Sequence, residues 1–179
     1  MANWLTKVIQ PLIDPEKDLV LDLCCGNGSV MDGIKCKGMM AIDIYEPYIR
    51  DFKRKRPDIE FRVLDVRLLP SITPVSFFDI ITCIDGLEHL EYDEAIRVLS
   101  WMESSAKKRV IVFAPVGYTL NEPKNTWGIQ GGDIYQTHKC GLTIPFFTER
   151  GYIIAHTRNR SINRYDKSRY RACLYVKET

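Results

Sequence analysis

The sequence predicts an α/β fold: a doubly wound, mostly parallel seven-stranded sheet with a C-terminal antiparallel hairpin, formed by a single domain over residues 1–179. Three observations predict it. Short apolar runs alternate with helical patterns, the order that builds parallel strands with crossover helices. Four of the runs, at 18–24, 39–44, 77–84 and 109–116, are nearly unbroken hydrophobic stretches, as strands covered on both faces must be. The last two runs, at 151–158 and 169–177, are joined by RNRSINRYDK, which is too short for a helical crossover, so they pair as a hairpin.

The elements follow in order. Residues 3–11 read as a leading amphipathic helix stopped near Pro11. DLVLDLC (18–24) is the first strand, SVMDGIKC (29–36) a short helix and MMAIDI (39–44) the second strand. Residues 46–55 form a helix that starts acidic at Glu46 and ends in Lys53, Arg54, Lys55 and Arg56, a charge order that suits the helix dipole. IEFRVL (59–64) is the third strand, and the link after it has room for a turn or two of helix. FFDIITCI (77–84) is the fourth strand. In EYDEAIRVLSWMESSAKK (91–108), Ala95, Leu99, Met102 and Ala106 recur at helical spacing. RVIVFAPV (109–116) is the fifth strand. A long loop over 117–140 leads to a short helix at 142–150 and then the hairpin.

Bulk properties exclude several classes. The composition is 45% hydrophobic and 27% charged, ordinary for a globular protein. A net charge of +2 gives no argument for nucleic acid or an anionic membrane. No stretch approaches the roughly 18 apolar residues of a membrane helix, and the N-terminal segment holds no unbroken apolar run of signal-peptide length. The expectation is a cytoplasmic protein with no membrane partner. None of the six cysteines forms a C-x-x-C pair, and His138-x-Cys140 alone is too little for zinc, so the thiols are expected to be reduced and mostly buried.

In an open α/β sheet, ligands bind beyond the carboxyl ends of the strands. The first strand ends in LDLCCGNGS, where Gly26 and Gly28 let the backbone turn sharply and approach a ligand. Asp22, inside that strand, can brace the glycine turn or face a ligand ammonium. Asp43 ends the second strand, where a carboxylate can accept both hydroxyls of a ribose. Asp65 ends the third and can take the exocyclic amine of an adenine packed between Ile44 and Val66. Three acids at successive strand ends outline an adenosine with a charged tail. The dinucleotide fingerprint is missing, because Cys24 stands at its first glycine and the third is absent. An amino-acid tail therefore suits Asp22 better than a pyrophosphate does.

On these residues the chain resembles the class I S-adenosylmethionine-dependent methyltransferases of the small seven-stranded type, with their Rossmann-like fold. LDLCCGNGS resembles that family's glycine motif, AIDIYE its ribose motif, VLDVRLLP its adenine motif and FDIITCIDGLEHL its strand-four motif. The resemblance covers residues 18–116 and departs at Cys24. It implies S-adenosyl-L-methionine as cofactor. Asp22, Gly26 and Gly28 would then line the methionine end, with Cys24 also among the cofactor-binding residues; Asp43 would bind the ribose, and Asp65 with Val66 the adenine, Ile44 packing on its other face. Cys83, Ile84 and Asp85 would pass near the sulfonium.

A sulfonium methyl is already electrophilic, so the enzyme mainly places a nucleophile in line and excludes water. A general base helps a hydroxyl or ammonium acceptor. His138, in the loop after the fifth strand, is the first candidate, and Asp85 is the second. His89 reads as a packing or capping residue, and His156 as structural. The acceptor is expected to meet the 117–140 loop, where Tyr118, Trp127 and Tyr135 supply aromatic faces and Asn121, Asn125, Gln130 and Gln136 polar ones. That mixture suits a small polar molecule or sugar. Ala114-Pro115-Val116 stands where magnesium-dependent relatives carry an acid, so no metal is expected. Two alternatives stay open. One is an RNA or protein methyltransferase using the basic segment 158–171. The other is a non-catalytic cofactor-binding subunit, with a protein partner covering an acceptor side that lacks the N-terminal lid helices of many relatives.

Overall fold

The computed structural model of the protein describes residues 3–72, 76–121, 129–162 and 169–179, the side chains of 160–162 excepted. Its helices are α1 (Trp4–Ile9), α2 (Glu46–Lys55), α3 (Tyr92–Ser105) and α4 (Ile144–Glu149). Its strands are β1 (Leu19–Leu23), β2 (Gly38–Asp43), β3 (Glu60–Val63), β4 (Ile80–Ile84), β5 (Arg109–Pro115), β6 (Ile153–Ile162) and β7 (Arg169–Glu178). They form one sheet in the order β3-β2-β1-β4-β5-β7-β6. The first five strands are parallel, and β7 runs antiparallel to both β5 and β6. The order reverses between β1 and β4, so their carboxyl ends open a crevice.

Alternation along each strand divides the core. Leu21 and Leu23 face one layer, with Ala95, Leu99 and Met102 of α3 and Phe147 of α4. Val20 faces the other, with Leu5 and Ile9 of α1 and Phe52 of α2. α3 begins with a capping box, in which the Glu91 side chain accepts from the backbone of Glu94 and the Glu94 side chain accepts from Glu91 N.

One predicted helix does not form. Residues 29–36 hold only a 3₁₀ turn, Met31–Gly33. The helix α1 takes the place of that crossover. Thr6 Oγ1 donates to the Val30 carbonyl (2.6 Å), Asn3 Nδ2 to that of Ser29 (3.1 Å) and Gln10 Nε2 to that of Lys35 (3.0 Å). Side chains from a remote segment thus satisfy backbone groups that a helix would have satisfied internally. Close packing makes the same point: a Cβ at Gly33 would stand 3.0 Å from Thr6 Cγ2. No helix among the described residues is long and apolar enough to cross a membrane.

Candidate active site

The carboxyl ends of β1, β2, β4 and β5, with the loop after β5, enclose a cavity of about 570 Å³. That volume is within the range of small-molecule sites. Of the residues singled out from the sequence, Asp22, Cys24, Gly26, Asp43, Ile44, Asp65, Val66, Ile84, Asp85 and His138 line it. Gly28 and Cys83 do not.

Tight backbone geometry forms the floor. Cys24, Gly26 and Gly28 all have positive φ, at 55°, 53° and 73°. Cys24 thus holds a conformation that favours glycine, which is the residue the resemblance expects there. Asp43 stabilises the turn: its Oδ2 accepts from Gly26 N and its Oδ1 from Tyr45 N, each at 2.8 Å. Gly28 serves packing. A Cβ there would lie 2.1 Å from the Phe52 ring, so α2 sits where a side chain would be. Cys83 is wholly buried behind the wall, and a Cβ at Gly86 would meet its Sγ at 2.7 Å.

The electrostatics of the cavity favour a cation. Asp22 is 1% exposed and takes a 2.6 Å hydrogen bond from Thr82 Oγ1, its register partner on β4. Burial raises its carboxyl to about 7, against the Thr82 hydrogen bond and with added repulsion from Asp43. No ion pair reaches it among the described residues, so a ligand ammonium would supply the missing counter-charge. Of the two roles left open for Asp22, bracing the glycine turn falls to Asp43 instead. Burial also raises the Asp43 carboxyl, opposed by the N–H groups of Tyr45, Gly26 and Ile44. Each of its oxygens keeps a second lone pair for a ribose hydroxyl.

Asp65 is differently placed. The Arg67 guanidinium grips it, with Nε 2.9 Å from both oxygens and Nη2 2.5 Å from Oδ2, and the Arg67 N–H caps it at 3.0 Å. These contacts hold its carboxyl below the usual range. An adenine amine would therefore share Asp65 with Arg67. Beside it, Tyr48 lines the cavity and packs edge-on against Tyr45 at 4.9 Å. The segment at 130–132 closes over both tyrosines: Tyr45 Oη donates to the Gln130 carbonyl, and a Cβ at Gly132 would stand 2.0 Å from Tyr48 Oη.

Across the cavity stands a second group. Asp85 has φ 49° and its N–H bonds to Phe113 O at 2.8 Å, which pins the end of β4 to β5. Asp85 is exposed toward solvent, and the protein packed around it raises its carboxyl, opposed by Arg158. Glu88 is 4% exposed, and its Oε2 has no hydrogen-bond partner among the described residues. Burial and repulsion from Asp85 push its carboxyl well up. The Glu88 carbonyl accepts from Lys139 N (2.8 Å) and Cys140 N (3.2 Å), which brings the end of the long loop against the 87–89 turn. His138 and His89 consequently meet edge to face, 4.9 Å between ring centres. Burial lowers the His138 pKa and pushes that of His89 down to about 4, so both rings are neutral near pH 7.

In the loop, Asn121, Tyr135 and Gln136 line the cavity, whereas Tyr118 is exposed; Asn125 and Trp127 lie outside the described residues. His156 packs against Trp4 at 5.3 Å, away from the cavity. Nothing in the sequence singles out Tyr48 or Arg67, whose positions depend on tertiary packing. Glu88 carried a readable signal, an acid three residues after Asp85 in the D-G-L-E-H-L stretch.

The profile of a methyltransferase domain family matches residues 20–109, half of the chain. Among solved structures, the magnesium protoporphyrin IX methyltransferase of Synechocystis PCC 6803 with bound SAM is similar at 20% identity and a TM-score of 0.59, over 97% of this chain and 76% of that one. A S-adenosylmethionine-dependent methyltransferase of Clostridium acetobutylicum ATCC 824 is similar at 16% identity and a TM-score of 0.62, over 96% and 87% of the two chains. The YcgJ protein of Bacillus subtilis is similar at 12% identity and a TM-score of 0.68, over 98% and 97%. At these identities the likeness concerns the fold. A comparison with curated proteins finds no match.

Proposed function

The chain belongs to the methyltransferase domain family and is an S-adenosylmethionine-dependent enzyme; on that premise we propose that it methylates a small polar molecule on an oxygen or nitrogen atom. The observation that carries this reading is one cavity lined by two sets of residues. Asp22 and Asp43 fit the cationic tail and ribose of the cofactor; Asp85, His138, Asn121 and Gln136 offer polar groups to an acceptor.

When bound, S-adenosylmethionine supplies an electrophilic methyl on sulfur. The residues of the chain do the rest. Asp22 matches the ammonium, Asp43 accepts from the ribose, and Ile44 and Val66 pack against the base, with Asp65 beside them. The left-handed backbone at Cys24 and Gly26 keeps the floor low enough for a ligand to lie across it. The acceptor would be held in line, its lone pair forming the new bond to carbon as the carbon–sulfur pair leaves with the sulfur, and His138 or Asp85 would take its proton. His138 is suited to this, because its Nδ1 lies 2.7 Å from the Thr119 carbonyl oxygen, which can only accept. The ring proton thus sits on Nδ1, and Nε2 is left as a base.

Cavity size favours a small acceptor over a polymer. Six free thiols suit a reducing compartment such as the cytoplasm. The open acceptor side leaves room for a protein partner, and the basic 158–171 segment keeps RNA as the second reading. The deciding experiment incubates the purified chain with methyl-tritiated S-adenosylmethionine and a cell extract split by size. Label is expected in the fraction below about 1 kDa, the scale of ligands such cavities enclose. Label confined to RNA or protein would overturn the small-molecule reading, and no label in any fraction would favour a cofactor-binding subunit.

A further inference from the structure

We propose that Glu88, His89 and His138 form a binding site for a divalent transition-metal ion on the acceptor side of the cavity. One ligand atom from each lies within 4.8 Å of the others. Atoms bonded at about 2.1 Å to one ion stand at most about 4.2 Å apart, so small side-chain rotations close the trio.

Two observations beyond the spacing point to an ion. The first is the direction of the imidazoles. Nδ1 of His89 lies 3.2 Å from the Thr137 carbonyl oxygen, and Nδ1 of His138 lies 2.7 Å from that of Thr119. A carbonyl oxygen accepts and never donates, so each neutral ring carries its proton on Nδ1. Each then has a bare Nε2 lone pair, oriented by a backbone carbonyl in the way metal-ligating histidines are. The second is Glu88. Its Oε2 is buried at the cavity wall and has no hydrogen-bond partner among the described residues. The backbone N–H groups of Glu88 and Gly86 act on this carboxyl, yet Oε2 is left without a partner of its own; an ion bonded there supplies one and offsets the cost of its burial. The backbone bonds from Lys139 and Cys140 to the Glu88 carbonyl hold all three ligands in one place.

The donor set selects the ion. Two imidazole nitrogens and one carboxylate suit first-row divalent ions such as manganese, iron, cobalt or zinc. Magnesium and calcium prefer all-oxygen surroundings. The sequence argued against a metal from the missing acid after β5. The ligands stand elsewhere, on the 87–89 turn and at the far end of the loop.

The protein supplies three ligands, so the remaining positions face the cavity. There an ion would bind an acceptor hydroxyl and make it more acidic. This last step alone rests on the methyl-transfer reading. With the ion held, His138 Nε2 is a ligand, and the proton of the hydroxyl goes to the Asp85 carboxylate.

The test uses metal-stripped full-length protein titrated with cobalt(II), followed by visible absorption and calorimetry. Wild type should bind about one ion per chain, with a dissociation constant below about 10 μM, and millimolar magnesium should not displace it. Glu88→Gln and His138→Gln should each weaken binding by about 100-fold or more. Titration of the demethylated cofactor product, S-adenosylhomocysteine, into the same samples reports on folding. Should Glu88→Gln fail to fold, His138→Gln on the loop still decides. Wild type that binds no cobalt, a variant that binds it undiminished, or easy displacement by magnesium would each overturn the proposal. Cobalt binding without S-adenosylhomocysteine binding would sink the methyl-transfer reading and leave the metal site standing.

Discussion

Replacing Asp22 by Asn tests the electrostatics of the cofactor end most directly. Asp22 is buried and its carboxyl is raised from the ordinary 3.8 to about 7. A raised acid binds its proton more tightly in the folded chain than in the unfolded one. Stability from this group is therefore highest at low pH and declines as pH rises from about 4 to 7. At about 1.36 kcal/mol per pH unit, the full cost of ionising it in the folded state is about 4 kcal/mol. Asparagine keeps the shape and can still accept from Thr82 Oγ1, which stands 2.6 Å from the carboxylate, but it never ionises. Between pH 5 and pH 8 the stability of Asp22→Asn relative to wild type should thus grow by about 3 kcal/mol. Only this difference is informative. Neutral His89, pushed down to about 4, makes the wild type lose stability as pH falls from 6.5, in the opposite direction. Urea unfolding of both proteins at the two pH values measures it. The same substitution should cost about 10- to 100-fold in S-adenosylmethionine affinity, the worth of a charge-assisted hydrogen bond to the ammonium. A stability difference that stays flat with pH, to within about 1 kcal/mol, would refute the buried-acid argument. Unchanged affinity would take Asp22 away from the ammonium.

Three further outcomes are expected. Gly28→Ala should destabilise the fold by about 3 kcal/mol or more, from positive φ and a clash with Phe52, and a melting temperature within error of wild type would show that α2 yields. Asp43→Ala should weaken S-adenosylhomocysteine by calorimetry and also lower stability, because Gly26 N and Tyr45 N lose their acceptor; loss of stability with full affinity would confine Asp43 to the turn. His138→Ala should leave cofactor affinity nearly unchanged and reduce turnover by about 10²–10⁴-fold. Wild-type activity should fall as pH drops through the His138 pKa, which burial holds below its usual value, and a variant with full turnover and an unaltered pH profile would make His138 a bystander.

Periodicity and strand ends were enough to predict the sheet, because both are local signals. Strands covered on both faces must be apolar throughout, and the short final connection admits only a hairpin. The same local logic placed Asp22, Asp43, Asp65 and the glycine turn at one edge, since all parallel strands end on the same side. What lay beyond it depended on contacts between remote segments. The 29–36 stretch stays out of a helix because α1 fills that layer, and Thr6 of α1 with the flanking Asn3 and Gln10 bonds its carbonyls. Gly28 packs beneath Phe52 while Gly26 faces the cavity, although the two glycines look alike in the sequence. Arg67 takes hold of Asp65 two residues away, a pairing that spacing permits and does not require. His89 and His138 are 49 positions apart in the chain. The bonds from Lys139 and Cys140 to the Glu88 carbonyl, with the contact of His89 Nδ1 to the Thr137 carbonyl, bring their rings together. Hydrogen bonds and burial act through space, so the pairing of an acid and two imidazoles in one wall became visible only once the chain was folded.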